Sequence, residues 1–169
     1  MGDATGRDVK QITKQQTETL RTPEPNDSHY KRLNFAEIPL LVNGLLSDDP
    51  EMRAHITEQL VSMALQDEDF GSSLSNLYLS PLTSMLKSTD EEKSQTGCDG
   101  LSIIVKKSEK LRQALIRNGF LEIARFELID ESRPVHVHSN ILSIILDLIT
   151  NGCDVFEMSG ILSIVRKVG

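Results

Sequence analysis

The side chains able to do chemistry in this chain are few and poorly arranged for it. His136-Val137-His138 is the nearest approach to a metal motif. Zinc needs three or four converging ligands, but residues two apart on a helix point to different sides. The pair reads as the polar start of a helix after Pro134. Cys98 sits in Thr96-Gly97-Cys98-Asp99-Gly100. A nucleophilic thiol needs a lowered pKa and a nearby base, and neither is signalled, so Cys98 reads as a small buried hydrophobe. The carboxylates Asp67-Glu68-Asp69, Asp90-Glu91-Glu92, Glu127 and Asp130-Glu131 fall mostly where helices should meet. Helix dipoles and solvent favour acids there, whereas acid–base catalysis needs two in one pocket with unequal surroundings. Phosphate-loop, dinucleotide and nucleophile-elbow spacings are missing from the sequence. The expectation is a non-enzyme with no catalytic residue, no metal and no cofactor.

Lys106-Lys107-Ser108-Glu109-Lys110, with Arg112 and Arg117, is the main basic cluster of the body. It follows a helical stretch, where positive charge complements a helix C-terminus. The whole chain has 18 basic and 25 acidic residues, a net charge of −7. Nucleic-acid binders draw affinity from clustered Lys and Arg on phosphates, so this balance argues against one. Trp is absent and aromatics are 4%, few for stacking on bases. No 18-residue apolar run spans a membrane, and Met1 to Val9 lacks a secretory signal. With two cysteines a disulfide framework is excluded, and a reducing cytoplasmic setting, or the nucleus, is expected.

Positioning these residues falls to a body preceded by a tail. Residues 1–35 hold 6 basic and 5 acidic residues, with scattered apolar positions such as Val9, Ile12 and Leu20. They read as a flexible polar tail, because so little apolar surface cannot offset the entropy of ordering. Residues 36–169 carry the remaining 12 basic and 20 acidic residues. Met52, Ile56, Leu60, Met63 and Ala64 follow helical spacing, and Asn140–Ile149 is apolar on most sides.

Sliding the body by 41 residues superposes its apolar positions. Ile38 falls on Leu79, Phe120 and Ile161; Leu41 on Leu82, Ile123 and Ile164. Leu60 falls on Leu101 and Leu142, Met63 on Ile104 and Ile145, Ala64 on Val105 and Leu146, and Leu74 on Leu115 and Phe156. The turns agree, with Asp49 on Asp90 and Glu131, and Tyr78 on Gly119 and Gly160. Each unit is expected to hold three helical pieces. Short pieces cover 70–77, 109–118 and 154–159; middle pieces 37–46, 79–87, 120–129 and 161–168; long pieces 50–66, 91–107 and 134–150. Gly119 and Gly160 suit a left-handed helix end. Units of this size bury their apolar faces by stacking on neighbours.

Glu37-Ile38-Pro39-Leu40-Leu41-Val42-Asn43-Gly44-Leu45-Leu46-Ser47-Asp48-Asp49-Pro50-Glu51 resembles the armadillo-repeat signature. The Gly-hydrophobic entries Gly119-Phe120 and Gly160-Ile161 repeat its start, and Ser80-Pro81-Leu82 keeps a proline one place later. The resemblance covers 36–169 and implies an all-α, right-handed armadillo- or HEAT-like superhelix. It would have about three 41-residue repeats plus a terminal helix. Peptide-binding armadillo proteins line a concave face with Trp and Asn ladders on the third helix. The matching positions here are Glu58, Asp99 and Asn140 for the Trp, and Ser62, Ile103 and Ile144 for the Asn. These six are the expected protein-binding groove, without the usual ladder chemistry.

The expected function is a non-catalytic protein–protein interaction scaffold or adaptor that takes a peptide or helix on its concave face. The apolar fourth unit ends at Gly169, which suggests pairing through that edge. It also suggests a second reading, a regulatory or targeting portion of a larger enzyme such as a kinase with helical repeats. An RNA-binding helical repeat is disfavoured by the acidic body.

Overall fold

A computed structural model describes residues 37–66, 72–154 and 158–161. The expected tail, 1–35, lies outside them, as do Ile164, Phe156 and most of the last short and terminal pieces. Every regular element among the described residues is helical, so the body is all-α. In order these are α1 (Glu37–Leu45), α2 (Pro50–Gln66), α3 (Ser72–Leu86), α4 (Glu91–Lys107), α5 (Glu109–Arg117), α6 (Phe120–Ile129) and α7 (Val135–Thr150).

Local chemistry fixes the helix ends. Asp90 caps α4 by accepting from the Lys93 amide at 3.1 Å. Glu91 and Glu92 then lie in the first turn and Lys106 and Lys107 in the last, each sign placed to suit the macrodipole. Forty-one residues earlier the same corner starts α2. Asp49 accepts from the Glu51 amide at 3.0 Å, and Ser47 Oγ accepts from the Asp49 amide as Ser88 Oγ does from Asp90, both at 3.2 Å. Ser108 separates α4 from α5; its amide donates to Ile104 O, and its hydroxyl accepts from the Leu111 amide at 3.1 Å.

Two expected breaks differ. The short and middle pieces at 70–77 and 79–87 are one continuous helix, α3, with Tyr78 buried inside it. Gly119, at the equivalent place, takes φ +83° and ends α5, a conformation that a tyrosine adopts only with strain. Gly160 is not left-handed; Gly152, after α7, is, with φ +90°.

α4 is the hub, packing on α2, α3, α5 and α7. Its glycines permit this. A β-carbon on Gly97 would stand 2.6 Å from the Leu86 amide nitrogen and 2.8 Å from the Leu82 carbonyl of α3. The core is a series of apolar layers through these helices. Ile38, Leu79, Phe120 and Ile161 are all buried, each 41 residues from the next.

The long helices keep that spacing only once. From α2 to α4 the buried positions advance by 41: Arg53 to Ser94, Ile56 to Gly97, Leu60 to Leu101, Ala64 to Val105. From α4 to α7 they advance by 43: Ser94 to Val137, Gly97 to Asn140, Leu101 to Ile144, Val105 to Leu148. The slip arises before α7: α6 ends at Ile129, 43 residues past Leu86, and the corner 130–134 is one residue longer than the corners 46–49 and 87–90. There Asp130 accepts from the Ser132 amide and hydroxyl, at 3.0 and 2.6 Å, and Pro134 precedes α7 without a side-chain cap. The aligned layer Ala64, Val105, Leu146 is therefore broken: Leu146 is 60% exposed, and Leu148 takes its place.

Candidate functional site

α2 and α4 lie side by side, and their outward faces enclose an open hollow of about 550 Å³. Helical spacing explains the lining. On α4, Asp99 and Ile103 occur four apart and project beside each other; on α2, Glu58 and Ser62 do the same. All four line the hollow, together with Val61, Leu65 and Lys107. Its floor passes over Gly100, where an added β-carbon would stand 3.0 Å from Thr57 Cγ2 and 3.1 Å from Leu82 Cδ2. Glycine here lets the two helices and Leu82 pack closely beneath the hollow.

The sequence alignment thus brings four of its six candidates together. Asn140 and Ile144 do not join them. Ile144 is fully buried, and Asn140 faces α4, donating from Nδ2 to Ser94 Oγ at 3.0 Å. Ser94 in turn donates its hydroxyl to the Leu86 carbonyl at 2.6 Å. The two-residue slip turns both positions inward and places Leu142 and Leu146 where the α7 counterparts of Asp99 and Ile103 belong. Val61, Leu65, Gly100 and Lys107, which also line the hollow, were not among the six groove positions; hydrophobic spacing alone does not tell a lining residue from a core one.

The hollow is polar at its ends and apolar between. Asp99 accepts from Gln95 Nε2 at 2.8 Å, and Glu58 lies across from it on α2. Lys107 stands at the far end, two turns along α4. Cys98, next to Asp99, points the other way; its thiol donates toward the Asn140 carbonyl at 3.6 Å. Burial above all, with the Asp99 charge second, pushes its pKa up to about 11, which keeps it a thiol at neutral pH.

The remaining chemical candidates have structural partners. His136 Nε2 meets the Ser88 carbonyl at 3.1 Å, whereas His138 Nε2 meets the Glu127 carbonyl at 2.9 Å. The two rings therefore serve different corners. Among the described residues no three His, Cys, Asp or Glu side chains converge to hold a metal. Glu127 is paired with Arg133, whose Nη2 donates to Oε1 at 2.9 Å and whose Nε lies 2.6 Å from Oε2. In the basic cluster, Lys106 pairs with Asp147 at 3.3 Å and Arg112 donates to the Val105 carbonyl at 2.7 Å. Those bonds tie α4 to α7 and close the C-terminal end of α4. A second hollow of about 560 Å³ lies between α5 and the turn after α7, with Glu109 and Asp154 beside Arg112 and Arg117. Among the described residues no helix is long and apolar enough to cross a membrane.

Comparison of the chain with protein-family models, curated proteins and solved structures finds no match.

Proposed function

We propose that this protein is a non-catalytic interaction module that holds a segment of another protein in the hollow between α2 and α4. In this reading the body is an armadillo- or HEAT-like right-handed superhelix of about three units plus a terminal helix. The long helices α2, α4 and α7 form its concave face. One observation carries the reading. Residues from two helices, 41 positions apart in sequence, line a single open hollow with an apolar centre and charged ends. Corner chemistry shared by α2 and α4 supports the repeat, and so does the continuous Ile38, Leu79, Phe120, Ile161 layer.

The affinity of such a site comes from a few anchors rather than from total area. Ile103, 42% exposed at the centre of the α4 face, is the anchor that the partner would cover. The test is to select peptides from a random library on the intact chain and to measure their affinity for the wild type and for Ile103→Asp. Because Ile103 is half in solvent, the substitution should leave the melting temperature nearly unchanged. It should weaken the selected peptides by about tenfold or more. Peptides that bind both proteins equally, or a library that yields none, would overturn the reading.

A further inference from the structure

Resting on that reading, the charges around the hollow specify what kind of segment it takes. Asp99, Ile103 and Lys107 recur every four residues along α4, so they form one stripe. At the helical rise the steps are about 6 Å, and the stripe is about 12 Å long. By the 41-residue register between the two helices, α2 adds Glu58 level with Asp99, Val61 and Ser62 level with Ile103, and Leu65 near Lys107. The site therefore has three levels: two carboxylates, the half-exposed Ile103 beside Val61, and one ammonium.

We infer that the occupant is an amphipathic helix from another protein, lying antiparallel to α4, that presents an acid, a large apolar residue and a base at i, i+4 and i+8. Charge complementarity sets the order. The base meets Glu58 and Asp99, the apolar side chain packs on Ile103, and the acid meets Lys107. A helix repeats every four residues with the same rise as α4, so all three levels stay in step. Direction follows from dipoles. Lying antiparallel puts the partner's acid toward its own N-terminus and its base toward its C-terminus, the arrangement that also stabilises that helix. The reverse direction would need base before acid and would work against the partner's own dipole.

The test uses the full chain and two fluorescent synthetic helices, each carrying Leu as the central residue. One reads Glu, Leu, Lys at i, i+4, i+8; the other swaps the two charges. Anisotropy titrations at low salt should show the first binding more tightly to the wild type. The double variant Asp99→Lys with Lys107→Glu, made in a Glu58→Gln background, should reverse the preference, by about tenfold in each direction. High salt should shrink the difference. A third peptide, with proline after the leucine to break the helix, should bind more weakly than the first. Equal binding of both charge orders, no reversal in the double variant, or undiminished binding of the proline peptide would each overturn the inference. If library-selected peptides depend on Ile103 yet show a different charge order, this inference fails while the proposed function stands. If no peptide depends on Ile103, both fail.

Discussion

Gly97 and Gly44 both lie inside helices, yet a methyl group would meet very different neighbours at each. At Gly97 the obstruction is the α3 backbone itself, Leu86 N and Leu82 O, which moves only if two helices separate. At Gly44 the obstruction is the Ile56 side chain, whose δ-methyl can rotate away. Gly97→Ala should therefore destabilise by about 2 kcal/mol or more despite alanine's better helix propensity. Gly44→Ala should stay within about 1 kcal/mol of wild type. Urea unfolding of the two variants compares them directly, and equal effects would mean that α3 does not approach α4 as described. Cys98 supports a second test. Its folded pKa, about 11, lies above the ordinary thiol value of 9.0, so the native state holds the proton more tightly. Between those values the unfolded chain loses the proton first, and stability must fall as pH rises. Denaturation midpoints for the wild type should drop across about pH 9–11, more steeply than for Cys98→Ala; parallel profiles would remove Cys98 as the cause. Alkylation should likewise reach half-buried Cys153 well before Cys98.

At the scale of elements, the register of α7 separates what composition encodes from what it hides. Counting 41 residues assigns Ile144 to the groove and Leu146 to the core; the structure buries Ile144 and leaves Leu146 exposed. Ile144→Ala should thus lose roughly 2–4 kcal/mol, whereas Leu146→Ala should stay within about 0.5 kcal/mol. Thermal or urea melts of the pair decide it, and similar losses would show that the slip is wrong. The helices themselves were legible: α2, α4, α6 and α7 begin and end within a residue of expectation, because Asp49, Asp90, Gly119 and Pro134 mark their starts. The register was not. In α7 Ile141, Leu142, Ile144, Ile145, Leu146 and Leu148 are all apolar, so either spacing fills a layer with hydrophobic residues. Only the later end of α6 and the longer corner at 130–134 distinguish them, and neither length carries a hydrophobic signal. In α2 and α4 polar residues interrupt the face, which is why Glu58, Ser62, Asp99 and Ile103 were found and the α7 pair was misplaced. The fusion of two pieces into α3 has the same root: 41-residue spacing puts Tyr78 where Gly119 breaks, but only the glycine adopts the left-handed turn.

At the scale of the whole described body, α4 links the helices on either side of it. α2 and α7 each pack along α4, tied by Arg53 to Glu92 at 3.1 Å on one side and by Ser102 to Asp147 at 2.5 Å on the other. A body assembled this way has its stability concentrated where helices have most neighbours. α4 packs on four long or short partners, whereas α2 relies on α1, α3 and α4. Leu101, in α4, and Leu60, in α2, are equally and fully buried, so they allow a matched comparison. Native-state hydrogen exchange should show α4 amides opening only with global unfolding and α2 amides opening at lower free energy. Leu101→Ala should destabilise by roughly 2–5 kcal/mol and lower protection in every helix, because removing α4 packing loosens both junctions at once. Leu60→Ala should lower protection chiefly in α1 and α2, leaving α6 and α7 close to wild type. If both variants reduced protection uniformly, the body would open as one unit, and the hollow between α2 and α4 would be as rigid as the core. If they differ as expected, the wall of the hollow formed by α2 is its adjustable side. A bound helix would then reveal itself by raising α2 protection toward that of α4.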